Sequence, residues 1–254
     1  MTVPPFTAHN IRLDDGRRTI PDAPLLTEEW PGFHSLRRLL DLVFPSGKEN
    51  HRIADLGCLE GGYSVGFARM GFEAVGIEVR DANFQCCTYV KEHVSLPNLQ
   101  FVQDNVLNFS RYGRFDTVFC CGLLYHLDQP KAFLEQVAKQ TKKLLILDTH
   151  FSIESDRVKP HYVLSPMTSN ESLNGRWYRE FQDNASIDER QGLRWASFHN
   201  SQSFWVKRED LLGLMYDLGF KTVFEQFDYH APDITKVLTE SYEYLLRGRF
   251  IGIR

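Results

Sequence analysis

No run of 18 apolar residues occurs anywhere in the chain, so it lacks a segment of the length that a bilayer-crossing helix needs. Its first residues, MTVPPFTAHNIRLDDGRR, have no basic start followed by an apolar stretch, which reads against a secretory leader and makes the cytoplasm the expected location. No CxxC occurs either. The five cysteines, Cys58, Cys86, Cys87, Cys120 and Cys121, are odd in number, and four of them form adjacent pairs inside apolar runs. Buried reduced thiols are the expectation, with no metal site. A surplus of Lys and Arg is also missing: 29 basic residues face 33 acidic ones, a net charge of -4, which favours a small or neutral partner over a nucleic acid. There is no internal repeat or low-complexity stretch. What remains is ordinary for a globular protein, with 43% hydrophobic and 24% charged residues, and 254 residues suffice for one domain with embellishments.

The order of the apolar runs is informative. Residues 1–31 are rich in Pro and charge without periodicity and read as an irregular arm. Phe33, Leu36, Leu39, Leu40 and Val43 recur at helical spacing and stop at Pro45-Ser-Gly47. Strand-like runs follow at 51–56, 73–78, 99–103, 115–121 and 143–148, separated by helix-compatible stretches at 63–70, 81–94 and 130–141. The run FDTVFCC, 115–121, is apolar on both sides, as a parallel sheet requires. Strands alternating with helices imply an α/β fold, a Rossmann-like doubly wound sheet with helices on both faces. Between 149 and 203 the alternation stops and aromatic residues mix with polar ones, which predicts an inserted lid with short elements of its own. A helix at 207–218 and strands at 221–228 and 249–253 complete the chain. The organisation expected is one domain in four parts: arm and helix 1–50, binding core 51–151, acceptor lid 152–205, and completion of the sheet 206–254.

The densest signal is RIADLGCLEGGYSVGFAR, 52–69, where a strand delivers Asp55 and Gly57 into a turn carrying Gly61 and Gly62. Glycines let backbone amides approach a ligand, and the helix behind presents its positive end. Glu78 ends the second strand about 20 residues on, where a carboxylate can accept from ribose hydroxyls or simply be a solvated strand end. Asp104 follows the third strand in FVQDNV, placed either to accept from an adenine amine, with the neighbouring Asn105 amide at a ring nitrogen, or to cap a helix. A dinucleotide reductase shares this frame, but its pyrophosphate turn needs three glycines, and Gly57, Leu59 and Gly62 supply two.

Together, Asp55-Leu-Gly57, Gly61, Glu78, Asp104 and the strand running to Gly122 resemble the class I S-adenosylmethionine-dependent methyltransferases, over about residues 52–151. The resemblance implies a sheet of seven mostly parallel strands with a reversed last strand, S-adenosylmethionine as cofactor and S-adenosylhomocysteine as product. It places Asp55 near the methionine amino group and Gly57 and Gly61 under the cofactor. Glu78 would hold the ribose, Asp104 and Asn105 the adenine, and Cys121 and Gly122 the methionine side. One departure stands out: Leu59 and Glu60 occupy the middle of the turn, where the family often has glycine and where Leu resists positive φ.

Methyl transfer from a sulfonium is an in-line displacement governed by positioning, although a hydroxyl acceptor gains from a base. The tract Gly122-Leu-Leu-Tyr-His126-Leu-Asp-Gln-Pro130 resembles an LYH-x-x-x-P segment of small-molecule methyltransferases and of bacterial enzymes that modify wobble uridine in transfer RNA. So does SFW-x-x-R-E-x-L at 203–211. His126 is a candidate general base or a hydrogen-bonding strut for its loop, with His150 and His199 as competitors. Tyr125, Trp177, Tyr178 and Trp195 are expected to line the acceptor cavity, with core packing as the alternative and the favoured role for Trp205. Arg176, Arg179 and Arg194 either meet an anionic acceptor or are solvated. The expectation is an O-methyltransferase acting on a small molecule, with no membrane and no nucleic acid as partner. N-methylation, transfer-RNA modification and a noncatalytic cofactor-binding module are its alternatives. The acceptor and the oligomeric state are not legible.

Overall fold

In a computed structural model, residues 3–154, 161–228 and 243–254 are described. Seven strands form one sheet: β1 (Arg52–Leu56), β2 (Glu73–Glu78), β3 (Leu99–Gln103), β4 (Phe115–Cys121), β5 (Thr141–His150), and two later strands, β9 (Thr222–Gln226) and β10 (Arg247–Ile253). Their order is β3-β2-β1-β4-β5-β10-β9. β1 pairs parallel with β2, and β2 with β3, whereas β10 runs antiparallel to both β5 and β9. This is the expected α/β sheet with its reversed last strand. Helix α1 (Pro31–Val43) precedes β1, α2 (Gly62–Arg69), α3 (Asp81–His93) and α4 (Pro130–Gln140) fall between the early strands, and α6 (Arg208–Asp217) precedes β9.

The described residues fall into two compact units, Met1–Phe119 and Cys120–Arg254, parted within β4. In the first, Ile53, Ala54, Val75, Ile77 and Val118 are buried within β1, β2 and β4, consistent with cover on both faces. α1 begins with Pro31 at its first position and buries Phe33, Leu36, Leu39 and Leu40, while Leu42 on the opposite face is 82% exposed. Phe33 packs on Phe67, and Phe67 meets Phe119 edge-on. Fully burying each such ring contributes about 1.5–3 kcal/mol. The N-terminal arm has no helix longer than the 3-10 turn Thr27–Glu29 among its described residues, as its composition suggested.

In the second unit, α4 buries Phe133, Leu134, Val137 and Ala138. The lid region does hold elements of its own: β6 (Thr168–Asn170), β7 (Leu173–Arg179) and β8 (Gln202–Val206) make an antiparallel sheet, with the short α5 (Ile187–Gly192) between β7 and β8. The β6–β7 turn places Glu171 and Ser172 at φ 53° and 68°, as a two-residue hairpin turn demands. Glu171 accepts from Lys131 N (2.9 Å) and Ala132 N (3.0 Å), which ties the hairpin to the positive end of α4. Lys207 N donates to Asn174 O (2.7 Å), and Ser152 N to Val206 O (2.9 Å), joining the start of the lid to its end.

Candidate functional site

The turn after β1 gathers most of the predicted cofactor residues of the first unit. Asp55 is 3% exposed and accepts from Ser64 Oγ at 2.6 Å. Burial raises its carboxyl to about 7, with the charge of Glu78 adding to the effect and Ser64 opposing it. Gly57 and Gly61 both have positive φ, 70° and 82°. At Gly61 a Cβ would lie 2.5 Å from the Phe101 ring, so both the conformation and the space require glycine. Leu59 adopts φ 54° all the same, a strained conformation for a side-chain-bearing residue. Its N–H donates to Glu78 Oε2 (2.9 Å), which explains how the strain is held.

Glu78 is the hub of this turn. Besides Leu59, Val79 N (3.0 Å) and Arg80 N (2.8 Å) donate to its Oε1, and burial raises its carboxyl despite these bonds. Asp104 ends β3 and is also heavily engaged: Asn105 N and Asn108 Nδ2 donate to Oδ1 at 2.7 Å each, and Tyr112 Oη to Oδ2 at 2.5 Å. The Tyr112 and Asn108 bonds hold its carboxyl below the usual range. Asp104 does not cap the following turn, and with two donors already on Oδ1 it is Oδ2 that leaves room for another. Asn105 caps the following turn by accepting from Leu107 N (2.9 Å).

Sequence reasoning passed over the role of Glu60. Fully buried, it accepts from Thr7 N (2.7 Å), Thr7 Oγ1 (2.8 Å), Ala8 N (3.0 Å) and His9 N (2.8 Å), and so clamps the N-terminal arm onto the turn. His9 Nδ1 accepts from Gly62 N at 3.0 Å, which requires a neutral ring; burial lowers its pKa to about 4 against the opposing charge of Glu60. The turn amides are consequently committed internally. Gly57 and Cys58 donate to Ile77 O, Leu59 to Glu78, Gly61 to Cys58 O and Gly62 to His9. A pyrophosphate cradle depends on such amides being available.

In the second unit, Cys121 ends β4 and Gly122 N donates to Asp148 O at 2.9 Å. Tyr125 and His126 lie in a 3-10 turn directly beyond, their ring centroids 4.2 Å apart. His126 Nδ1 stands 2.8 Å from Glu180 Oε1 at the end of β7. The Glu180 side chain is 1% exposed and further accepts from Ser203 Oγ (2.6 Å) and Ser197 N (3.0 Å). A buried carboxylate thus fixes the ring of His126 and places the N–H on Nδ1, leaving Nε2 to act as acceptor. His150 is different. Its Nδ1 donates to Leu245 O (2.8 Å), its ring stacks on Trp205 at 4.6 Å, and burial, assisted by the charge of Arg247, lowers its pKa to about 4. His199 is exposed on the lid, beside Phe198.

The predicted acceptor residues separate in the same way. Tyr125, Tyr178 and Trp205 pack together with Tyr162, which sequence reasoning did not single out. Trp205 is 1% exposed, the core residue it was read to be. Trp177 packs on Phe204 instead, and Trp195 is 64% exposed. Arg176 donates to the carbonyls of Ile153 and Ser165, and Arg179 pairs with Asp183 at 3.4 Å. The strongest cation of this unit is one the sequence did not advertise: Arg247, whose Nε donates to Asp148 Oδ1 at 2.8 Å. All five cysteines are free thiols, with Cys58 and Cys87 sulfurs 3.8 Å apart. Among the described residues no group of three or more His, Cys, Asp or Glu side chains is placed to hold a metal ion, and no helix is long and apolar enough to cross a membrane.

Comparison with known proteins completes the description. The family described as "Methyltransferase domain" matches residues 31–225. Among solved structures, the N-terminal domain of EvdMO1, crystallised in the presence of SAH and D-fucose, superposes with TM-score 0.68 at 21% identity, covering 99% of this chain and 92% of that one. Magnesium protoporphyrin IX methyltransferase from Synechocystis PCC 6803, with bound SAM, gives TM-score 0.53 at 14% identity, covering 88% and 80%. A tRNA U34 carboxymethyltransferase of Campylobacter fetus is 26% identical over 155 residues, 58% of this chain and 51% of that protein. The chain spans about half or less of the length of the curated relatives it matches. With the match covering both strand groups and the sheet order agreeing, the chain belongs to the methyltransferase-domain family and carries the fold of the class I S-adenosylmethionine-dependent methyltransferases.

Proposed function

We propose that the protein is an S-adenosylmethionine-dependent methyltransferase that acts on a hydroxyl oxygen of a small molecule. Family membership supports methyl transfer, and the observation that carries the choice of oxygen is the His126–Glu180 pair. The residues of the first unit fit the cofactor. Asp55 is a buried carboxylate with a raised pKa, suited to an ammonium group, and Glu78 is the carboxylate that ends β2 beside the turn. The committed turn amides disfavour a pyrophosphate and so a nicotinamide dinucleotide. In this reading Gly57, Gly61, Asp104, Asn105, Cys121 and Gly122 complete the binding set. S-adenosylmethionine supplies a methyl carbon already activated by a positive sulfur. His126 Nε2 accepts the proton of the acceptor hydroxyl, Glu180 stabilises the imidazolium that results, and the lid, 152–205, excludes water. His150, its value lowered to about 4, is neutral at pH 7. The free thiols accord with a cytoplasmic location.

The test is transfer of labelled methyl from S-adenosylmethionine into a pool of metabolites. Loss of His126 as base predicts that His126→Ala lowers kcat by about 10²–10⁴-fold while the affinity for S-adenosylhomocysteine stays within twofold. Unchanged turnover removes the base role. A second reading, modification of transfer RNA, is favoured by the tRNA U34 carboxymethyltransferases among the relatives. It requires RNA binding that weakens steeply with salt, which the net charge of -4 does not favour.

A further inference from the structure

Arg247 opens β10, and its side chain remains 37% exposed although its Nε is fixed by Asp148. Asp148 is only 8% exposed and is shared: Arg249 reaches its Oδ2 at 3.2 Å. Burial alone would raise the Asp148 carboxyl, yet the charges and hydrogen bonds of Arg247 and Arg249 hold it below the usual range. One carboxylate therefore serves two guanidinium groups. The outer edge of Arg247 points toward Cys121 and Gly122: Nη2 lies 3.8 Å from Cys121 Sγ, and a Cβ built on Gly122 would be 3.8 Å from Nη2 and 3.7 Å from Tyr125 Oη. The guanidinium carbon stands 5.9 Å from the centroid of the Tyr125 ring, which in turn neighbours His126. A thiol sulfur is a poor partner for a guanidinium N–H, so this edge offers its fork to a better acceptor.

We infer that Arg247 is a specificity-determining residue that binds a carboxylate on the methyl acceptor, making the substrate class a planar hydroxy acid whose ring lies against Tyr125, Tyr162 and Tyr178. The inference deepens the reading of this chain as an O-methyltransferase and rests on it. Three observations combine here: a partly exposed arginine side chain oriented by a buried carboxylate, an aromatic wall beside it, and His126, oriented by Glu180, one residue from Tyr125. Arg176 and Arg179, two of the three cations that the sequence offered for this role, are engaged by carbonyls and by Asp183.

The experiment is calorimetric titration of 4-hydroxybenzoate and of its uncharged amide, 4-hydroxybenzamide, into the full chain with and without saturating S-adenosylhomocysteine. The expected result is at least tenfold tighter binding of the acid. Arg247→Met brings acid and amide within twofold of each other, and Arg247→Lys, which keeps the charge but not the fork, retains part of the preference. In both variants the affinity for S-adenosylhomocysteine stays within twofold and circular dichroism reports an unchanged fold. Equal binding of acid and amide by the parent chain, no binding of either, or a preference that survives in Arg247→Met overturns the inference. So does a tenfold loss of S-adenosylhomocysteine affinity in Arg247→Met, which would assign the guanidinium to the cofactor. A parent chain that binds no S-adenosylhomocysteine removes the underlying reading instead, and the titrations without it still report on Arg247.

Discussion

Asp55 is kept in an environment that disfavours its own charge, and that has consequences in both directions. With its carboxyl at about 7, about half of the free molecules hold it protonated at neutral pH. A ligand ammonium selects the ionised form, so affinity for S-adenosylhomocysteine is expected to be level above pH 7 and to weaken about tenfold per unit as pH falls below it. Asp55→Asn should flatten that profile and weaken binding by about 10–100-fold at pH 8, which calorimetry across pH 5.5–8.5 measures. The residue also illustrates what could be read in advance. Asp55, Gly57, Gly61 and Glu78 stand within 24 positions of one another and are organised by local strand and turn geometry, so their types and spacing carry the signal. Glu180 was not legible, because its meeting with His126, 54 positions away, is set by how β7 is placed within its sheet. Arg247 and Asp148, 99 positions apart, are brought together by the antiparallel register of β10 on β5.

At the scale of elements, the Gly-rich turn, α2 and the arm behave as one hydrogen-bonded piece centred on Glu60. Leu59 and Glu60 looked like a departure from the family's turn. The structure gives the reason for both: Leu59 donates to Glu78 through a strained backbone, and Glu60 gathers four donors from residues 7–9. Glu60→Gln places an amide donor against backbone N–H groups, which should cost about 2–3 kcal/mol by analogy with hydrogen bonds to charged groups. A thermal transition lower by roughly 4–12 °C is the expected reading. An unchanged transition temperature would mean that the arm does not depend on this carboxylate. The strands were legible because parallel strands buried on both faces leave short apolar runs, such as 118–121 in β4 and 144–147 in β5. The lid's strands were not, since in β7, LNGRWYR, polar and aromatic residues follow no strict alternation.

Among the described residues, three buried groups displaced far from their ordinary values contribute to how stability responds to pH. His9 and His150 have folded values lowered from 6.5 to about 4, so each stabilises the fold fully above pH 6.5 and loses that contribution as pH falls toward 4. Asp55 acts oppositely: its raised value penalises the fold above pH 7, and the penalty fades as pH falls toward 3.8. Between pH 7 and 5 the two histidines together remove on the order of 4 kcal/mol, and relief at Asp55 offsets all but about 1 kcal/mol of it. Urea unfolding should therefore show the parent chain only slightly weaker at pH 5, whereas Asp55→Asn, lacking the offset, loses about 4 kcal/mol over the same interval. Similar losses in both proteins would contradict the assignment. The sheet and its reversed last strand could be anticipated from the order of the apolar runs and the family resemblance. Which histidine a buried carboxylate orients could not, because His126, His150 and His199 differ in partners and burial rather than in local sequence.

Calorimetry of the full chain with S-adenosylhomocysteine tests the central claim most directly. The account predicts one-to-one binding that Asp55→Asn weakens and a nicotinamide dinucleotide does not displace. No heat with S-adenosylhomocysteine or S-adenosylmethionine, together with tight binding of the dinucleotide, would contradict it.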